Sequence, residues 1–144
     1  MGLKLDLSAF AAKANGRIES QIKRIVAGVA NALIEASPVG DADYWKNKPP
    51  KGYTGGHFRA NWDYGFNTAP STSYPTIDKT GASSVSRIDA AMAGKVMAGN
   101  VHYVVNSLPY GKRLEDGWSR QAPRGMVGLT VLKFKNVAKD AVSP

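Results

Sequence analysis

The side chains that could do chemistry are few and scattered. His57 and His102 lie on or beside strand-like segments with no metal-ligand spacing, and a lone strand histidine is more often solvated or hydrogen-bonded than a ligand or a base. Glu115 and Asp116 are adjacent, so on a helix or turn they diverge and cannot flank one substrate bond. Gly52–Gly56 (GYTGG) lacks the Gly-Lys-Ser/Thr ending and the preceding strand of a phosphate loop. No serine sits in a nucleophile-elbow pattern. Phe58, Arg59, Trp62, Tyr64 and Phe66 could mimic a stacking platform for single-stranded nucleic acid. Those aromatics share one face, however, and a neighbouring helix needs that face for the core. No catalytic residue, metal ligand or cofactor is expected, and the sequence points away from an enzyme.

The elements that would position these residues follow from periodicity. From Leu7 to Ala36, Phe10, Ala14, Ile18, Ile22, Ile25, Val29 and Leu33 recur at three- and four-residue steps, which predicts one long amphipathic helix. Ser37-Pro38 ends it, because the residue before proline avoids the helical region. Residues 40–56 form a loop rich in glycine, proline and lysine that carries Trp45 and Tyr53. The residues leave open whether those two meet a partner or fold back over the core. Phe58 to Phe66 alternates as a strand, with its aromatic face toward the long helix and its polar face elsewhere. Residues 68–84 read as a second loop. Ser86 to Asp89 resembles a capping box opening a short helix through Ala93. Val127, Val131, Phe134, Ala138 and Ala141 fit a final helical face.

Between these lies Asn100–Met126. Val101 to Asn106 has the period-2 pattern of a strand, ended by Pro109 at the latest. A short helix with Pro109 near its start and Gly117 past its end comes next, and Pro123 marks a restart. The segment reads as a shaped recognition loop. The fold class is therefore α+β: a long N-terminal helix and a C-terminal helix packed on a small, mainly antiparallel sheet with long loops. Two strong strands are marginal as an isolated sheet, so a strand is expected within a loop or from a second copy.

At 144 residues the chain suits one domain, residues 1–144, with one core. Hydrophobic content of 43% and charged content of 21% are ordinary for a soluble globular protein. The net charge of +8 raises the chance of a polyanionic neighbour, although the cations are spread along the chain. Cysteine is absent, which excludes disulfides and cysteine-ligated zinc. The N-terminus lacks a signal-peptide pattern, and no apolar run approaches the roughly 20 residues of a membrane span. A soluble, non-secreted product without membrane contact is expected.

Two motifs resemble those of the tail-completion (tail-to-head joining) proteins of long-tailed bacteriophages. One is Ser37-Pro38-Val39 followed by Thr54-Gly55-Gly56-His57-Phe58-Arg59-Ala60-Asn61-Trp62. The other is Asn106-Ser107-Leu108-Pro109-Tyr110, then Leu114-Glu115-Asp116-Gly117-Trp118-Ser119, Gln121-Ala122-Pro123 and Gly125-Met126-Val127. The order of elements is similar too, so the resemblance spans essentially the whole chain. The second motif is the more specific, because many residue types fall at fixed spacing. In many members the first motif is contiguous, whereas here Gly40 to Tyr53 is inserted between its halves.

The resemblance implies a non-enzymatic virion subunit, assembled in the host cytoplasm into a ring of copies, six being the expected number, at the neck or tail end. Its expected partners are itself, the tail terminator or tail tube protein, the head-completion or connector protein, and phage DNA passing through the lumen. Expected interface residues are Trp45, Tyr53, Arg59, Tyr110, Leu114, Glu115 and Trp118, with Met126 and Val127 seating the last helix on the core. The alternatives are a small basic DNA-binding module and another neck ring component such as the tail terminator.

Overall fold

A computed structural model describes residues 1–6, 18–40, 51, 54–93 and 101–142, with backbone alone for 6, 18 and 135–142. The elements are β1 (Gly2–Asp6), α1 (Ile18–Ala36), a 3-10 turn (Arg59–Asn61), β2 (Trp62–Phe66), α2 (Ala82–Met92), β3 (Val101–Asn106), α3 (Gly111–Glu115) and α4 (Val127–Val142). The strands form one antiparallel sheet in the order β1-β3-β2. Leu3 and Leu5 face Val104 and His102 across one pair. Tyr64 and Phe66 face the same two residues across the other. The α+β class holds, and the third strand that two alone could not do without is β1.

Helix α1 is the centre of the core. Ile22, Ile25, Val26, Val29, Ala30, Leu33 and Ile34 are all buried, a stripe wide enough for neighbours on two sides. Helix α1 contacts α4, α2 and the central strand. The N-terminal part of the expected helix, 7–17, lies outside the described residues, as do Trp45 and Tyr53. Met126 is fully buried and Val127 packs against the core, as expected for residues that seat the last helix.

Several expectations need correction. The predicted strand Phe58–Phe66 begins only at Trp62. Before it, Ala60, Asn61 and Trp62 are consecutively buried, which a strand with a solvent face does not allow. The Asn61 side chain explains this turn. It donates to His57 O and Tyr74 O and accepts from Tyr74 N–H. The polar face of this segment is therefore not free: Asn61 and Asp63 are buried under the loop at Tyr74, whose hydroxyl donates to Asp63 Oδ2 at 2.7 Å. Phe58, Trp62 and Tyr64 are core residues, so they offer no platform for stacking bases.

Helix α2 begins at Ala82, not at Ser86. Asp78 in the preceding loop holds its first turn: Oδ2 accepts from Ser83 N–H, while Oδ1 accepts from the Thr80 hydroxyl and from Thr80 and Gly81 N–H. Those bonds, the Thr80 hydroxyl first, hold the Asp78 carboxyl well below the usual carboxylate range. In α4 Val127 and Phe134 pack against the core as expected, and Val131 does not. Val131 is 52% exposed, and Thr130 is buried in its place with its hydroxyl donating to Met126 O.

Buried polar side chains tie the segments together. Asn106 exchanges backbone hydrogen bonds with Met1. Its amide nitrogen donates to Phe58 O at 2.8 Å, and its amide oxygen accepts from Leu108 N–H at 3.2 Å. His102 is fully buried between Tyr64 and Phe66, with Nδ1 2.8 Å from the Tyr64 hydroxyl. Burial pushes the Tyr64 hydroxyl up to about 12 and lowers the His102 imidazole from its ordinary value of 6.5. Protonation of His102 would put hydrogens on both ring nitrogens, and Nε2 has no acceptor among the described residues.

Two predictions follow from these groups. Asn106→Ala strands Phe58 O and Leu108 N–H, and should lower the urea unfolding free energy by about 2–4 kcal/mol. For His102 the folded pKa lies below the unfolded one, so the unfolded chain takes up the proton first. Its contribution to stability is present above the ordinary value of 6.5 and is lost as pH falls through the folded pKa. Urea titrations at a series of pH values should show stability falling on that acid side, and His102→Phe should flatten that part of the profile.

Candidate functional site

The two motif segments meet in space. Ser37, at the end of α1, donates its hydroxyl to Leu33 O at 2.6 Å and accepts from Trp62 Nε1–H at 2.8 Å. Arg59 turns back to the same helix end, donating to Ser37 O and Glu35 O, and also to Lys79 O. A guanidinium here satisfies carbonyls that a helix C-terminus leaves without partners. Val39 and Gly40 N–H both donate to Gln121 Oε1, at 2.9 and 3.1 Å. First and second motif are thereby joined through Gln121 as well as through Asn106 and Phe58.

The inserted segment leaves and re-enters at one point. Gly56 N–H donates to Val39 O at 2.6 Å. A Cβ on Gly55 would lie 2.6 Å from that same oxygen, so the close approach requires glycine there. Ser37–Val39 and Thr54–Trp62 are thus adjacent despite the residues between them, consistent with the small penalty for lengthening a loop whose ends stay together.

Residues 111–128 form a knot held by one carboxylate. Glu115, at the end of α3, accepts from Met126 and Val127 N–H through Oε2 and from Gly128 N–H through Oε1, each at 2.8 Å. These are amides at the start of α4, where a helix lacks acceptors and favours negative charge. Gly117 has φ +87° and a Cβ there would meet Pro123 O at 2.6 Å. The spacing of Glu115, Gly117, Pro123 and Met126 is the spacing this closure needs.

The knot engages Glu115 within the chain and displays aromatic and cationic side chains. Trp118 is 71% exposed, with the Arg113 guanidinium carbon 5.2 Å from its ring centroid. Lys112, Arg113, Arg120 and Arg124 are all exposed, and Asp116 pairs with Lys112 at 3.2 Å. Tyr110 is 38% exposed, its ring against Phe58. His57 Nε2–H donates to Tyr74 O, which leaves Nδ1 to accept from the Tyr110 hydroxyl at 3.3 Å. On α4, Val131 and Leu132 are exposed, Leu132 at 78%.

Of the residues expected at an interface, Tyr110 and Trp118 stand at this surface. Leu114 is half-buried against the core. Glu115 and Arg59 have their polar groups engaged within the chain. Sequence reasoning passed over Ser37, Asn106 and Gln121 as joints between segments, although all three belong to the motifs. It also missed Arg113, five residues before the tryptophan it faces. Among the described residues no group of three or more His, Asp or Glu side chains could hold a metal ion, and no helix is long and apolar enough to cross a membrane.

The geometry defines a small α+β chain with a tied, partly aromatic and cationic corner. Compared with known proteins, the chain matches no family model, no curated protein and no solved structure.

Glu115→Ala removes the acceptor of three helix-start amides. It should destabilise the protein by about 1–3 kcal/mol, and Met126, Val127 and Gly128 amides should lose hydrogen-exchange protection more than those of α1.

Proposed function

We propose that this chain is a structural subunit of the neck or tail end of a long-tailed phage virion. Its copies form a closed ring that completes the tail and joins it to the head connector. The observation that carries this reading is the interlock of the two motif segments. Gln121 and Asn106 of the second motif bond Val39 N–H and Phe58 O of the first, Arg59 joins the halves of the first at Ser37 O, and Glu115 closes the second on Met126 and Val127. Together they hold a corner whose outer side displays Tyr110 and Trp118. A second motif in which Asn106, Glu115 and Gln121 build the scaffold, while Tyr110 and Trp118 stand outside it, suits a role in contact rather than catalysis. Exposed Trp, Tyr and Arg are the types that dominate protein interfaces.

In this reading Tyr110, Trp118 and Arg113 meet the neighbouring subunit or the adjoining ring, and heterologous side-to-side contacts close the circle. The tail terminator or tube lies on one ring face, the head-completion protein on the other, and DNA passes through the lumen. A second reading, a small DNA-binding module, draws on exposed Arg113, Arg120 and Arg124. It requires DNA affinity that falls steeply with rising salt.

Trp118→Ala should leave stability within about 0.5 kcal/mol of the parent, as for an exposed site, while abolishing ring formation in negative-stain micrographs. In the phage, loss of the protein should leave filled heads and finished tails unjoined. A Trp118→Ala protein that still forms rings and joins heads to tails would overturn the placement of the contact, and joined particles without the protein would overturn the function.

A further inference from the structure

The two edges of the sheet are finished differently. Along β2 the outward backbone groups belong to Trp62, Tyr64 and Phe66, since Asn67 N–H donates to Val101 O and sets the alternation. Trp62 N–H donates to Ser84 Oγ at 3.1 Å and Trp62 O accepts from Arg87 Nη1 at 2.9 Å. Tyr64 N–H donates to Asp63 Oδ1 at 2.8 Å. At Trp62 and at the Tyr64 N–H that edge is closed by side chains. Along β1, Met1 and Asn106 exchange backbone bonds at 2.9 and 3.4 Å. Residues 1, 3 and 5 therefore turn their N–H and C=O groups to β3, and Gly2, Lys4 and Asp6 turn theirs outward. Gly2 and Lys4 are exposed, and among the described residues no side chain closes this edge.

We propose that β1 is a pairing surface for a second copy of this chain, the two β1 strands lying antiparallel about a two-fold axis beside Leu5. Only the outward residues can exchange hydrogen bonds, so the registers available are few. Centring on Lys4 sets two lysines opposite each other, and directly opposed like charges destabilise a strand pair. Centring on Leu3 pairs Gly2 with Lys4 and brings no unlike charges together. Centring on Leu5 sets Lys4 opposite Asp6 of the partner subunit, and Asp6 opposite the partner subunit's Lys4. It forms four N–H···O bonds and continues the sheet across both copies. A lone edge lysine discourages pairing, but with an aspartate two residues on it selects this one register. The strands are short, and the contact lies well below the roughly 1,200 Å² of a standard interface. The dimer is therefore reversible and concentration-dependent.

This contact is isologous and does not depend on the ring reading, which uses the corner at Trp118. Sedimentation equilibrium of the full chain carrying Trp118→Ala, which removes the ring contact, from micromolar to millimolar, tests it. The mass should rise from one chain toward two. Lys4→Asp and Asp6→Lys should each weaken association by about tenfold, and the double variant Lys4→Asp/Asp6→Lys should restore it. Opposite these positions on β3 stand Tyr103 and Val101, so the reversals meet no like charge in their own sheet partner. Hydrogen exchange on the unaltered protein is the second readout. Lys4 and Asp6 amides should gain protection with concentration, while those of Leu3 and Leu5 stay protected throughout. A protein that stays monomeric, an association unmoved by single reversals, or failure of the double variant to recover overturns the proposal. So do rings that form while Lys4 and Asp6 amides exchange at the monomer's rate, an outcome that leaves the ring reading intact.

Discussion

Asn106 stands where four pieces of chain have to be held by a single residue. Its backbone ends the central strand and fastens the start of β1, while its side-chain amide joins Phe58 O to Leu108 N–H. The site is without solvent access, so each of those groups would otherwise be buried without a partner, at about 1–3 kcal/mol apiece. Asparagine suits it because one planar group supplies both a donor and an acceptor. An aspartate would lose the donor and a leucine both. The approach of the 3-10 turn to the sheet and the departure of the chain toward α3 share this one fixing point.

The same device recurs at several places where regular structure stops. Three strands of five or six residues make a minimal sheet, and its supporting helices end inside the molecule. Ser37 and Arg59 take up the last carbonyls of α1. Asp78 serves the Ser83 amide of α2 and Glu115 the first amides of α4. Ser84, Arg87 and Asp63 finish the edge of β2. Arg59, Ser84, Arg87 and Glu115 come from segments other than those they complete, so each of their bonds also sets where another element lies. The apolar stripe of α1 drives collapse without much directional preference, and these polar closures select one arrangement of the collapsed chain.

That division explains which parts of the structure could be read in the sequence. The stripe Ile22–Ile25–Val29–Leu33, the alternation of Val101–Asn106 and the breaks at Pro38, Pro109 and Gly117 report their own local geometry, and they were legible. Arg59–Asn61 continued an alternating pattern that fitted a strand, because nothing local says that the Asn61 amide will be taken by Tyr74. The start of α2 was misplaced for a similar reason: its cap, Asp78, lies outside the helix, whereas Ser86 offered a nearer match to a capping box. Thr130 displaced Val131 from the buried face because its hydroxyl returns to Met126 O, and hydropathy alone ranks the two the other way. Strand β1 has the simple pattern Leu-Lys-Leu, too short to stand out beside the helical periodicity that follows. Of the candidate surface, Tyr110 and Trp118 were legible as aromatics on a segment marked by proline and glycine. The roles of Glu115 and Arg59 were not, since an exposed-looking charge gives no local sign that its hydrogen bonds are spoken for.

The exposure of Trp118 acquires meaning from the rigidity beneath it. An indole at the tip of a loosely held loop would lose conformational freedom on contact, and that loss offsets much of what its burial contributes. Here the backbone on either side is fixed by Glu115 on the α4 amides and by the close approach of Gly117 to Pro123, and the ring itself is faced by Arg113. The ordering has been done in folding the chain. Burial of the indole against another surface then adds to affinity with little left to subtract, which is the condition under which a single aromatic can dominate a contact. The polar members of the motif and its exposed aromatic are therefore parts of one arrangement: the first fix the backbone so that the second can be presented without entropy still to lose.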